Sequence, residues 1–392
     1  MQKNNKTLTG LAAASLLTLP LAGEAITWDA GDLKINFHGS LRPSINADDC
    51  VSPCKGGWRG GPAGENLAGK KSTYMTSNFS HFQFDGSYKL NEKNSAVFKL
   101  EWKIDASEAI STSNTTDSAG DTGTVSTSNT LTDFEQYLGL KGGYGMFRVG
   151  TILTPYMQSG VKLDPFRRDS IAGRFFIDIY SALHHTNGFG RGRATNTIRY
   201  DSPKFLGGLS VQGFYTLDET SNDNHGYGAG LMYDSKRFYG LLQHYDANRN
   251  GKSDATKIGA MVKFPKTATI FAQYESDGGL ISLAEGLVPG VPTVGDLPNY
   301  TFDNTVESAD VYVLGATYNI NKFQLIGQYG ERDDSNQVTD ASNADGHKGY
   351  VVGLAYRQTK QFYYYGGYLA KDFNRSTLDK DKRVTVGTTF TW

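Results

Sequence analysis

The sequence predicts an all-β fold: a closed antiparallel barrel of about 16 strands that spans a membrane. Three observations carry this prediction. Apolar and polar residues alternate with a period of two along many separate segments. Short turns and long polar stretches take turns in joining those segments. Aromatic residues recur near the segment ends. The composition agrees, since 46 Gly, 23 Tyr and 21 Phe suit many turns and strands that are apolar on one face only.

The first 25 residues read as a secretory signal. Lys3 and Lys6 give a positive start, Leu8 to Ala22 is mostly apolar, and Gly23-Glu24-Ala25 supplies small residues for cleavage after Ala25. As a membrane anchor the run is short and is broken by Ser15, Thr18 and Pro20. Residues 26–392 then form one unit, without a linker or composition shift to divide it. No stretch in this unit approaches the 18 or so consecutive apolar residues of a membrane helix. The formal net charge of -1 changes little on removal of the signal, and offers nothing to a nucleic-acid partner.

The two cysteines, Cys50 and Cys54, lie in VSPCKGGWRGGPAG with no His near them in sequence, so a zinc site lacks ligands. In an exported chain the expectation is a disulfide that stiffens a surface loop.

The strands follow from alternation. In the segment 33–42, Leu33, Ile35, Phe37, Gly39 and Leu41 share one face, and Lys34, Asn36, His38, Ser40 and Arg42 share the other. In 96–105, Phe98, Leu100, Trp102 and Ile104 oppose Lys99, Glu101, Lys103 and Asp105. Tight turns are predicted at 91–94, 142–145, 202–208, 234–237, 265–267, 319–322 and 357–361. Long polar segments are predicted at roughly 43–79, 106–133, 152–195, 217–225, 246–255, 276–309, 330–348 and 369–381. Seven turns and eight loops separate sixteen strands. Short connections on one side and long ones on the other are the asymmetry of an outer-membrane barrel, with the turns in the periplasm. Closure removes the edges that lipid cannot satisfy.

Tyr88, Tyr200, Tyr233, Phe264, Tyr318, Tyr356 and Trp392 each end a strand that descends to the short-turn side, with Leu140 the exception. Trp102, Tyr215, Tyr245, Tyr274, Tyr329 and Tyr368 repeat at a common height on the ascending strands. Two rows of amphipathic rings predict girdles at the two water boundaries of a membrane.

With these features in place, the mature chain resembles the general Gram-negative porin superfamily. The resemblance is carried by FEQYLGLKGGYGMFRVGTILTPY (134–156), by NTIRYDSPKFLGGLSVQGFYTL (196–217) and by the terminal RVTVGTTFTW. The last residue is Trp392 rather than the commoner Phe, and Thr151 stands where many members carry a base. The resemblance implies a homotrimer of 16-stranded barrels in outer-membrane lipid and lipopolysaccharide, each with a water-filled pore narrowed by an inward-folded third loop. It implies passive diffusion of small hydrophilic solutes and ions, without cofactor or catalysis.

The working chemistry of such a pore is fixed charge. Alternation places Lys34, Arg42, Lys99, Lys103, Arg148, Arg199, Lys257, Lys263 and Arg383 on the inner face, with the acids Asp85, Glu101, Asp105, Glu135 and Glu275. The third-loop segment KLDPFRRDSIAGRFFID contributes Asp164, Arg167, Arg168, Asp169, Arg174 and Asp178 beside an apolar patch, Phe175 to Ile177. Asp164-Pro165 has the form of a helix cap and first helical position. Counting bases over acids predicts a mild anion preference, with Arg42, Lys99 and Arg199 as a basic wall opposite the loop. In the alternative, Asp164, Asp169 and Asp178 point into the pore while the loop arginines pair with wall acids, which gives the opposite sign.

Two rival functions leave signatures that are weak here. A barrel enzyme needs a Ser/His or Asp/His constellation at the rim, and no motif calls for one. A substrate-specific channel needs an aromatic ladder or a dense basic ring, and the inward aromatics read from sequence are Tyr137, Phe214 and Phe271 alone. An adhesin role for the long loops would be an added property. GFGRGR (188–193) follows no buried strand and is no phosphate loop. His184-His185 could touch a metal, but solvated side chains are the simpler expectation.

Overall fold

A computed structural model describes residues 25–49, 71–104, 107, 111–116, 122–127, 131–166, 169–171, 192–217, 225–246, 254–277, 310–333, 347–373 and 380–392. In chain order the elements are β1 (Ile26–Ala30), β2 (Leu33–Leu41), β3 (Ser44–Asp49), β4 (Lys71–Thr76), β5 (His81–Lys89), β6 (Ser95–Ile104), β7 (Ser111–Thr116) and β8 (Thr122–Thr127). They continue with β9 (Leu131–Gly142), β10 (Gly145–Leu153), the helix α1 (Pro155–Val161), β11 (Arg193–Asp201), β12 (Leu209–Thr216), β13 (Gly226–Asp234) and β14 (Phe238–Asp246). The last are β15 (Asp254–Phe264), β16 (Ala268–Asp277), β17 (Asp310–Ile320), β18 (Phe323–Arg332), β19 (His347–Arg357), β20 (Phe362–Phe373) and β21 (Asp381–Thr391).

Every pairing is antiparallel between neighbours, and the ring closes where β21 meets β2 and β3. β2 and β3 lie in line as one stave, as do β4 and β5, so the wall has sixteen staves. The hairpin β7–β8 stands outside it as a separate two-stranded sheet. Each of the seven predicted tight turns joins a hairpin. The predicted first long loop, 43–79, is corrected: its two ends continue the first two staves as β3 and β4.

The breaks in those staves have a local cause. Pro43 has no N–H to give the ladder. Side chains replace the missing bonds: the Arg42 N–H donates to Ser80 Oγ at 2.9 Å, and Asn78 Nδ2 donates to the Arg42 carbonyl at 2.6 Å. Asn78 holds φ at 47°, a left-handed turn that Asn tolerates.

At the seam, Gly39 and Trp392 exchange backbone hydrogen bonds of 3.1 and 3.2 Å. A side chain at Gly39 would meet the Trp392 ring at 2.8 Å. Beyond Trp392, β1 takes over as partner of β2, with Ile26 opposite Phe37 and Ala30 opposite Leu33. The lower edge of β2 is thereby covered.

The outer face is an apolar band, with Leu138, Leu314 and Val352 each more than half exposed. Such exposure in so many strands is what a lipid solvent requires. Aromatic contacts run along the short-turn side, as in Phe147–Tyr200 at 4.7 Å, Tyr233–Phe238 at 5.9 Å and Phe323–Tyr356 at 5.1 Å. Tyr215, Tyr274 and Tyr368 of the upper row face outward. Tyr245 does not: it is fully buried inside the barrel, 5.0 Å from Phe214 and 6.2 Å from Tyr156. That expectation is corrected.

The inner wall has two unlike sectors. Along β14 to β20, Tyr239, Leu241, Phe271, Val313, Ile326, Val351 and Leu369 form an apolar shelf. Along β3, β5, β6 and β9 to β11 most of the buried residues are polar or charged, among them Asp48, Gln83, Glu101, Glu135, Arg148 and Arg199.

Candidate functional site

The chain after β10 turns into the barrel instead of away from it. Thr154 caps α1: its Oγ1 accepts from the Met157 N–H at 3.2 Å, and Pro155 takes a first-turn position where its missing N–H costs nothing. The helix therefore begins at Pro155, and the expected start at Asp164-Pro165 is corrected. Asp164 instead closes a turn, its Oδ1 accepting from the Phe166 N–H at 3.1 Å.

Helix and turn rest on the wall. Tyr156 Oη donates to Glu275 Oε1 at 2.5 Å, the Lys257 ammonium donates to the Tyr156 carbonyl, and Tyr239 Oη donates to the Ser159 carbonyl at 3.1 Å. Leu163, Phe166 and Ile171 join the apolar shelf with almost no exposure. Each is worth about 1.5–3 kcal/mol of burial. The wall makes room with glycine: a Cβ at Gly259 would stand 2.7 Å from Leu163 Cδ1, and one at Gly367 2.7 Å from Ile171 Cγ2.

The far end of the described loop is held by charge. Asp169, fully buried, accepts from Arg42 Nη1 at 2.8 Å, Thr389 Oγ1 at 2.9 Å and Tyr363 Oη at 2.5 Å. Ser170 Oγ lies 3.2 Å from Tyr365 Oη and also bonds Thr385 Oγ1. Wall strands 127 or more residues away thus fix both oxygens of one loop carboxylate.

Of the remaining predicted bases, Lys99, Arg148, Arg199 and Arg383 are each paired with an acid. Lys99 faces Glu101 at 2.9 Å and Glu135 at 2.6 Å. Arg148 and Arg199 sit directly opposite each other in register, an arrangement of like charges that Asp201 resolves by accepting from both. Arg199 also donates to the Leu153 carbonyl and to Gln158 Oε1, which ties the loop base and α1 to the wall. Arg383 makes a bidentate pair with Asp48, both bonds at 2.7 Å. The proposed basic wall of Arg42, Lys99 and Arg199 is therefore corrected: these residues are paired, and Arg42 and Arg199 grip the loop.

Asp48, Asp201 and Asp234 are partners of these bases that the sequence reading missed. Asp234 draws Lys162 of the loop to 2.5 Å, Lys263 of β15 to 3.0 Å and Lys204 of a short turn to 3.5 Å. Arg167, Arg168, Arg174, Asp178, Asp105, Cys50, Cys54 and the patch Phe175–Ile177 lie outside the described residues. Among the described residues no group of three or more His, Cys, Asp or Glu could hold a metal ion.

The family model described as Gram-negative porin matches residues 8–376. A major outer membrane protein P.IB of Neisseria gonorrhoeae is 24% identical over 240 residues, covering 60% of this chain and 57% of that protein. A chitoporin of Vibrio furnissii is 25% identical over 226 residues, covering 54% of this chain and 55% of that protein. The chain thus spans little more than half the length of these curated relatives. An anion-selective porin from Comamonas acidovorans superposes with a TM-score of 0.62 at 16% identity, over 92% of this chain and 100% of that one.

Proposed function

The chain belongs to the Gram-negative porin family, and from that premise we propose that it is an outer-membrane channel through which small hydrophilic solutes and ions diffuse passively. The carrying observation is the Asp169 clamp: a loop is folded into the lumen and fastened to the wall by Arg42, Tyr363 and Thr389, and the sector from β3 to β11 carries paired inward charges. A sixteen-stave barrel is wide enough to leave an aqueous passage beside such a loop. Family and fold point to a channel rather than an enzyme.

The functional unit in this reading is a homotrimer, seated in phospholipid and lipopolysaccharide with short turns in the periplasm. An outward aromatic cluster supports the trimer. Phe37, Phe82, Phe84 and Trp102 touch across β2, β5 and β6, with Phe37–Phe84 at 4.9 Å and Phe82–Trp102 at 5.4 Å. Concentrated apolar area in one sector suits a neighbouring barrel better than fluid lipid. In this reading the signal is cleaved after Ala25, so that the mature chain starts at Ile26, the first residue of β1.

Mild anion preference is retained on new grounds. Three lysines share Asp234 and two arginines share Asp201, whereas Lys99 faces two acids. These clusters carry a small positive excess, which low-dielectric walls focus.

Liposome swelling with neutral sugars of increasing size tests the reading. A general channel gives rates that fall smoothly with solute size. Saturation by one sugar, or no swelling with correctly folded protein, overturns it.

A further inference from the structure

The short-turn end of the barrel carries a repeated charge pattern, of which only Lys204 also belongs to the Asp234 cluster described above. Each of the seven short turns has an exposed Lys or Arg within it or within two residues of it. Lys89, Lys141, Lys204, Lys266, Lys322 and Lys360 represent six of them. Among the described residues the exposed acids at this end are Asp29, Asp32 and Glu92, and Asp29 is already paired with Lys34 at 3.0 Å. Two of the long connections have the reverse bias in sequence: the segment 278–309 holds Glu285, Asp296, Asp303 and Glu307 without a Lys or Arg, and 334–346 holds Asp334, Asp340 and Asp345 likewise.

Position decides what the bases meet. Lys89 lies between Tyr88 and Leu90, 49% and 51% exposed. Lys204 precedes Phe205 and Leu206, the latter 80% exposed. Lys141 follows exposed Leu140, Lys322 precedes exposed Phe323, and Lys266 stands two residues after exposed Phe264. The repeated unit is an apolar foot beside a long-stemmed cation, set at the edge of the lipid-facing band. Apolar side chains at that height enter the acyl boundary, and lysine stems extend their ammonium groups to the headgroup level. A soluble polyanion or a solute entering the pore would need the cations but would leave the apolar feet in water.

From this juxtaposition we infer that the short-turn rim is a binding surface for the phosphate headgroups of anionic phospholipids in the leaflet it faces. The inference rests on the membrane-barrel reading above. Headgroup attraction of this kind acts within roughly a Debye length of the surface and weakens with salt. It would hold the barrel at a fixed depth and surround its lower rim with anionic lipid.

The test is the association of spin-labelled phosphatidylglycerol and phosphatidylcholine with the full-length folded protein in phosphatidylcholine vesicles. The comparison variant replaces Lys89, Lys141, Lys204, Lys266, Lys322 and Lys360 by Gln. Wild type is expected to enrich phosphatidylglycerol several-fold over phosphatidylcholine in its motionally restricted shell. Raising the salt should reduce that ratio, and the variant should approach no preference. An equal ratio for both lipids in wild type, or an unchanged ratio in the variant, overturns the inference. So does salt-sensitive co-sedimentation with purified peptidoglycan in the absence of lipid preference, which would make the cell wall the partner. Folding and channel current are scored on the same samples, so a failed barrel is distinguished from a folded barrel without lipid preference.

Discussion

Arg42 on the wall and Asp169 on the inward loop meet at 2.8 Å, and the carboxylate has no exposure to water. Each residue's placement depends on the other, because a buried charge without its partner is far costlier than the pair. Asp169→Asn should lower the stability of the folded state by about 3 kcal/mol, and Arg42→Gln by a similar amount. The double replacement should cost less than the sum of the two. Denaturant midpoints of the folded barrel, read on a gel that separates folded from unfolded chains, check the cycle. In bilayers the Asp169→Asn channel should show more current noise than wild type, since Tyr363 and Thr389 keep only neutral bonds to the loop.

The glycine pockets under the loop give a steric prediction. Gly259→Ala and Gly367→Ala each set a methyl group 2.7 Å from a buried loop atom. The loop must shift toward the lumen, and single-channel conductance should fall. Gly327, with open space around its Cβ position, is the control: Gly327→Ala should leave conductance unchanged.

Much of the fold was legible because its rules are local. Two-residue alternation located the staves, and turn chemistry at sites such as 265–267 and 319–322 located the hairpins. The error at Tyr245 marks where the rule fails. In β14 the inward residues Tyr239, Leu241 and Tyr245 are as apolar as the outward Phe238 and Leu242, because the loop covers that stretch of inner wall. With both faces apolar, parity carries no signal. The clamp was not legible for another reason: Arg42 and Asp169 are 127 residues apart, and nothing local to either shows that closing the barrel joins them. Asp201 and Asp234 end their strands beside short turns and so read as turn residues, although both point to inward bases.

Selectivity should respond to the lysine cluster at Asp234. Lys204→Gln with Lys263→Gln removes two positive charges there and should move the reversal potential under a salt gradient toward cations. Asp234→Asn should move it the other way. A shift of the same sign in both variants would contradict the assignment of this cluster to ion preference.

The pairing of Cys50 with Cys54 is decided by the mass of the unreduced protein, two hydrogens lighter if the bridge is present. Reduction should destabilise the barrel by less than about 3 kcal/mol, because the loop it closes is very short. Release of the whole barrel on reduction would refute a purely local role.

An open aqueous passage beside a fastened loop is best tested by single-channel recording of the purified protein in a planar bilayer. Stable current steps are expected, with a size that rises in proportion to the conductivity of the bathing salt, as for ions moving through water. Insertion of correctly folded barrels that produce no current steps would contradict an open passage.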